Sequence, residues 1–94
     1  MTGINFWIER RLRDAGRADA GAAYELGIAY SSGTEGVEVS MVEAHKWFNL
    51  AAVWGDARAQ SARAEIAEEM TAREIADAQR EARGWLGGTV RRAA

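Results

Sequence analysis

The chain has 94 residues, of which 48% are hydrophobic and 28% charged, the size and composition of one small soluble domain. Its formal net charge of -2 provides no strong field of one sign, which argues against nucleic acid or an anionic membrane as a partner. The absence of cysteine excludes disulfides, thiolate metal sites and thiol catalysis.

Proline is also absent, and the alternation of apolar and polar residues that marks strands is scarce, so the sequence predicts helices throughout. No apolar run approaches the ~20 residues of a membrane helix, and the N-terminus lacks the apolar core of a signal peptide. We therefore expect no membrane segment. The compartment stays open between the cytoplasm, which this N-terminus favours, and the periplasm, which would require a leader that has been removed.

Glycines and capping residues divide the chain into short helices. A left-handed glycine commonly ends a helix, and apolar periodic stretches are followed by Gly16, Gly33, Gly55 and Gly87. Helix starts are marked by two capping boxes, SMVE at 40–43 and TARE at 71–74, and by the N-cap candidates Asp19 and Asp56. The predicted helices span 4–15, 19–32, 41–54, 57–70 and 72–86. Residues 88–94 are expected to form a flexible tail.

The stretch AHKWFNLAAVWG at 44–55 crowds aromatic rings and alanines into about three helical turns. One stripe at i, i+3, i+4 and i+7 consists of Ala44, Trp47, Phe48 and Ala51. A helix that is apolar round most of its circumference packs against neighbours on several sides. We therefore predict that this helix lies in the middle of the fold and that its rings are core. A narrow polar strip remains, formed by His45, Lys46 and Asn49.

The predicted second helix carries a stripe that we expect to pack against this one, formed by Ala23, Leu26, Gly27 and Tyr30. Gly27 costs the helix about 1 kcal/mol relative to alanine. That cost is tolerable if a large ring lies over the bare backbone, so we expect an aromatic side chain to pack there.

Residues that could support catalysis or metal binding are sparse. His45 is the single histidine, and no nucleophile with an orienting acid or set of metal ligands accompanies it. The segment GTEG at 33–36 lacks the lysine of a phosphate-binding loop and is interpreted as a turn. We expect no enzymatic activity, no cofactor and no metal, and we expect His45 to be an exposed helix residue.

Two segments of the chain repeat. GRADAGAA at 16–23 aligns with GDARAQSA at 55–62, at an offset within the range of helical solenoid repeats. The helix order then reads B–A–B–A–B. Within one domain at 1–87 this gives a leading helix at 4–15, a full repeat at 19–54 and an abbreviated repeat at 57–86.

Residues 22–59 resemble the Sel-one-like repeat, a relative of the tetratricopeptide repeat. The matching positions are Ala23, Leu26, Gly27, Tyr30, Gly33, Gly36, Val37, Ala44, Trp47, Phe48, Ala51, Ala52, Gly55 and Ala59. The connection departs from the pattern, with an extra residue between Gly33 and Gly36, no proline after the valine, and Ser40 where aspartate is usual. MTAREIADAQREARGW at 70–85 also looks like the closing helix of small bacterial members of the family.

The resemblance implies an all-α fold, a short α-solenoid of antiparallel helix pairs. It also implies a non-enzymatic adaptor or scaffold that binds a protein or peptide. In such solenoids the A helices line a concave groove. On that face we expect the partner-binding residues Tyr24, Glu25, Tyr30 and Arg63, and near the helix ends Trp7, Trp54 and Trp85. The alternative is a small-ligand binder or enzyme accessory subunit with a pocket near His45 and Trp54.

The two ends of the predicted solenoid carry apolar side chains, Phe6 and Trp7 at one end and Trp85 and Leu86 at the other. An uncapped solenoid end presents the face that a further repeat would bury. We therefore predict that a terminal surface either pairs with its own copy in a two-fold homodimer or docks on a partner protein.

Overall fold

The computed structural model describes the backbone of residues 5–93 and the side chains of residues 5–87. The helices in this range are α1 (Phe6–Ala15), α2 (Ala20–Ser32), α3 (Met41–Val53), α4 (Ala59–Ala67) and α5 (Ala72–Ala93). No strand occurs in the described backbone, and the prediction of an all-α fold is confirmed. The predicted start of the first helix at residue 4 is wrong, because Asn5 has an extended backbone and caps a helix that begins at Phe6.

Side-chain caps begin the helices where the sequence predicted them. The Asp19 carboxylate accepts from the backbone N–H of Ala22 at 3.0 Å and caps α2. The Ser40 hydroxyl accepts from the N–H of Glu43 at 3.1 Å and caps α3. Before α5, Thr71 and Glu74 form a reciprocal capping box, each side chain accepting from the other's backbone N–H.

The start of α4 differs from the prediction. Asp56 accepts from the N–H of Arg58 at 2.9 Å, but the residues after it form a turn, and α4 begins at Ala59. Arg58 occupies the N-cap position without a side-chain cap. The carboxylate of Asp56 therefore stabilises the turn that leads into α4, and the guanidinium of Arg58 holds the pKa of Asp56 below its ordinary value, chiefly through their side-chain hydrogen bond.

The helix stops predicted at Gly16, Gly33 and Gly55 are confirmed, although Gly16 is not left-handed, and the stop predicted at Gly87 is wrong. Gly33 and Gly55 have φ of 71° and 110°, the left-handed region that glycine tolerates. Gly16, by contrast, has φ of -62°, and the turn after α1 places Ala18 in the left-handed region at φ 61°. Helix α5 does not stop at Gly87.

Helix α5 continues to Ala93, so the predicted tail is helical backbone over residues 88–93, and Ala94 lies outside the described residues. Glycine lowers helix propensity by about 1 kcal/mol relative to alanine, but it does not forbid helical dihedrals. The glycines of this segment are therefore accommodated inside the helix.

Helix α3 is the centre of the fold. Helices α2, α4 and α5 all pack on it, and α1 packs on α2. The largest fully buried side chains are Trp47, Phe48, Leu50 and, from α2, Leu26. The prediction that the aromatic stretch of this helix is core is confirmed.

The close approach of α2 and α3 depends on a glycine. A Cβ atom placed on Gly27 would lie 2.5 Å from the Cδ1 and Cε1 atoms of Phe48, well inside van der Waals contact. The ring of Phe48 therefore lies directly over the bare backbone of α2, as the sequence predicted. Tyr24 packs on the same ring, with the ring centroids 5.5 Å apart.

Two residues of the polar strip of α3 are buried, and the prediction that His45 is exposed is wrong. His45 is only 3% exposed and Lys46 only 7% exposed, because helices cover α3 on so many sides. The Lys46 ammonium lies 2.7 Å from Glu43 Oε1, 3.7 Å from Glu81 Oε1 and 4.6 Å from the Trp47 ring centroid. A buried cation is therefore paired with carboxylates of α3 and α5.

His45 is enclosed without a complete set of partners. Its Nδ1 atom is buried and has no hydrogen-bond partner. Burial lowers the pKa of His45 below its ordinary value, and the positive charge of Arg63 lowers it further. The folded chain therefore favours the neutral imidazole.

Candidate functional site

A shallow pocket of about 150 Å³ lies between the start of α1, the outer face of α2 and the connection from α2 to α3. Its walls are formed by Trp7, Glu25, Ile28, Ala29, Thr34 and Glu35. It combines apolar walls with the acidic residues Glu25 and Glu35.

Helical spacing places the α2 residues of the pocket together. Glu25, Ile28 and Ala29 stand at i, i+3 and i+4, so they share one face of the helix. Ile28 is 40% exposed, so part of its side chain remains accessible at the pocket. Trp7 of α1 faces it across the pocket, and its ring is half-buried.

An exposed aromatic residue precedes Trp7 in the sequence. Phe6 is 76% exposed. It stands in sequence between Asn5, which is hydrogen-bonded to Glu35, and Trp7, which lines the pocket. Its backbone therefore adjoins the pocket, but its side chain is not among those that line it.

The connection that forms the rim has a defined backbone geometry. Three residues within four positions have positive φ: Gly33 at 71°, Glu35 at 58° and Gly36 at 82°. The side chain of Asn5 ties the connection to α1, since its amide nitrogen donates to the Glu35 carbonyl while its oxygen accepts from the N–H of Ile8 at 3.0 Å. Asn5 is thus the N-cap of α1 and a tether for the rim.

The charges around the pocket are only partly balanced. Arg11 Nε lies 2.8 Å from Glu25 Oε1, and Arg11 Nη1 lies 3.2 Å from Asp14 Oδ2. The Nε contact is an ion pair rather than a well-aligned hydrogen bond, since the buried Nε lacks a hydrogen-bond partner. The Glu35 carboxylate has no ion pair among the described side chains. Among the described side chains, the negative charge of Glu35 is therefore uncompensated.

The structure brings two of the predicted partner-binding residues together, Trp7 and Glu25, which both line the pocket. Tyr24 points to other neighbours: its ring packs on Phe48 and is covered by the guanidinium of Arg58 at 3.9 Å. Tyr30 is half-buried. Burial raises the pKa of Tyr30, and the nearby negative charge of Glu43 raises it further.

The other predicted binding residues are engaged with α3. Arg63 donates to the Asn49 side-chain oxygen at 2.5 Å, which fastens α4 to α3. Trp54 and Trp85 are partly buried against the core, and the Trp85 ring meets Trp47 edge to face at a centroid distance of 4.9 Å. These residues do not join the pocket, and their part in partner binding stays a prediction.

Several pocket residues escaped the sequence analysis. Ile28 could have been found, because it follows the predicted binding residue Glu25 by one helical turn. Asn5 also carries a signal, since asparagine is a favoured N-cap. Thr34 and Glu35 carry none, because their place beside Trp7 depends on a contact that joins residues 5 and 35.

Among the described residues, no helix combines the length and apolar character needed to cross a membrane. Nor does the same part of the chain gather three or more histidine or carboxylate side chains in a group that could hold a metal ion. Comparison of the chain with protein-family models, curated proteins and solved structures returned no match.

Proposed function

We propose that the protein is a non-enzymatic interaction module, an adaptor that binds a segment of another protein at the pocket beside α2. The observation that carries this proposal is the apolar surface at the pocket, where Trp7 and Ile28 form walls and Ile28 remains 40% exposed. Large apolar side chains clustered at a concavity are typical of interaction sites.

The proposal includes the architecture that the Sel-one-like resemblance implies, a short α-solenoid in the order B–A–B–A–B. It is supported by the central position of α3, on which the helices before and after it pack. It is also supported by the Phe48 ring over Gly27, because both positions belong to the repeat pattern. In this arrangement α2 is an A helix, and the A helices of a solenoid line its concave binding surface.

Site-specific photo-crosslinking tests the proposal. A photoreactive phenylalanine analogue replaces Ile28 in the chain expressed in its native host, and the matched control carries the analogue at Gln79, an exposed position on α5. We expect a discrete protein adduct from position 28 and none from position 79. Excess wild-type chain should compete the adduct away, and excess Ile28→Asn chain should not.

Two results would contradict the proposal. Equal labelling from both positions would mean that the adduct reflects random encounters. An adduct that both competitor chains remove equally well would mean that the partner binds elsewhere and touches position 28 only in passing.

A further inference from the structure

The chemistry of the pocket defines the chemistry of a partner. We propose that it binds a peptide segment in which a leucine-sized apolar side chain stands next to a lysine or arginine. This inference rests on the proposed function and adds the chemical class of the partner to it.

The size of the pocket sets the apolar half of this motif. Its volume is about 150 Å³, and its apolar walls are Trp7, Ile28 and Ala29. An apolar cavity of about this volume accommodates a benzene-sized molecule. One leucine, isoleucine, methionine or phenylalanine side chain is therefore of a size that this shallow pocket can take, and it would cover the accessible surface of Ile28.

The charges at the rim set the basic half of the motif. Arg11 neutralises much of the charge of Glu25, whereas Glu35 has no ion pair within the described side chains. A lysine or arginine next to the apolar anchor would supply the missing counter-charge. An aspartate or glutamate at the same place would be repelled, so the rim selects by charge as well as by shape.

The backbone at Glu35 supports a role for its carboxylate. Residues other than glycine rarely adopt its φ of 58°, because the Cβ atom approaches the following carbonyl oxygen. Strained residues of this kind cluster at functional sites. A glycine would relieve the strain, as it does on either side at Gly33 and Gly36. What the glutamate adds is a negative charge at the rim, held in place by the hydrogen bond from Asn5 to its carbonyl.

Peptide selection tests the inference. A phage library of random peptides is selected on the immobilised full-length chain and counter-selected on Ile28→Asn, whose folding is checked by circular dichroism. We expect enriched peptides to carry lysine or arginine next to leucine, isoleucine, methionine or phenylalanine. Fluorescence anisotropy of one labelled selected peptide should show a Kd at least about tenfold weaker for Ile28→Asn.

Charge variants separate the role of Glu35 from general electrostatics. Glu35→Gln should raise the Kd of the same peptide about two- to fivefold, as loss of an exposed ion pair does. High salt should raise the Kd of the wild-type chain more than that of this variant. Glu38→Gln is the matched control, because Glu38 is an exposed neighbour in the same connection and does not line the pocket. Its Kd should equal that of wild type.

Glu35→Gly distinguishes a binding role from a structural one. It should raise Tm by relieving the backbone strain, and it should weaken peptide binding at least as much as Glu35→Gln does. If Glu35 had only a structural role, Glu35→Gly would lower Tm and peptide affinity together.

The remaining outcomes are distinguishable. Selected peptides without an enriched basic residue, or a Kd that Glu35→Gln leaves unchanged, would overturn this inference and leave the proposed function standing. If no peptide distinguishes wild type from Ile28→Asn, the inference and the proposed function both fall. A dimer in light scattering that Ile28→Asn dissociates would identify a second copy of the chain as the occupant and overturn the inference.

Discussion

Adding a single methyl group at Gly27 should destabilise the domain, although alanine is the better helix former. Intrinsic propensity favours Gly27→Ala by about 1 kcal/mol. The new Cβ would lie 2.5 Å from two ring carbons of Phe48, and that ring is 1% exposed and held on all sides. Overpacking of this kind costs about 1–3 kcal/mol, and so short a contact belongs at the upper end of that range. We expect a net loss of about 1–2 kcal/mol, which lowers Tm by roughly 4–15 °C in a domain of this size.

Urea denaturation followed by circular dichroism measures this loss, with two controls. Gly84→Ala adds its methyl group to an exposed helical position where no atom lies within 4 Å, so it should gain about 1 kcal/mol. In a Phe48→Leu background, the cost of Gly27→Ala should shrink by about 1 kcal/mol or more, because the colliding ring is gone. If Gly27→Ala stabilises the chain as Gly84→Ala does, the reasoning that places the ring over α2 is refuted.

Three further predictions concern charge and backbone. Burial and the charge of Arg63 lower the pKa of His45, so in mild acid the unfolded chain binds more protons than the folded chain. The unfolding free energy should therefore be at its full value above a pH of about 6.5 and fall below it. Urea midpoints measure this slope, which His45→Gln should flatten. Lys46→Met should change the unfolding free energy by only about 1 kcal/mol, because it keeps the apolar stem and Glu43 can regain water. Lys46→Glu should lower the urea midpoint far more. Equal urea midpoints for these two variants would contradict the pairing of Lys46 with Glu43. Ala18→Gly should raise the unfolding free energy by about 1 kcal/mol by relieving a left-handed alanine, and a lower Tm would contradict that account.

The sequence was sufficient for features that depend on neighbours along the chain. The caps at Asp19, Ser40 and Thr71 each join residues three apart, so they can be predicted from short patterns. The burial of Trp47 and Phe48 was predictable for a related reason, because their spacing on one helix already requires a covered face.

Features that depend on which helices meet could not be predicted in this way. His45 was predicted to be exposed because it lies in a narrow polar strip of its helix. Its burial, like that of Lys46, depends on α4 and α5 packing against α3. The pocket depends on a contact between the start of α1 and Glu35, and no local periodicity carries information about that contact.

The two hydrogen bonds of Asn5 couple the formation of the pocket to the docking of α1. If the first turn of this ten-residue helix opens, the Trp7 wall and the tether on Glu35 are lost in the same step. The fraction of chains able to bind is then the fraction in which α1 is closed, and the apparent affinity falls in proportion. A bound peptide should in turn hold α1 shut. Amide hydrogen exchange should therefore slow along Phe6–Ala15 and residues 33–39 on binding, while α5, which lies on α3 instead, exchanges as before.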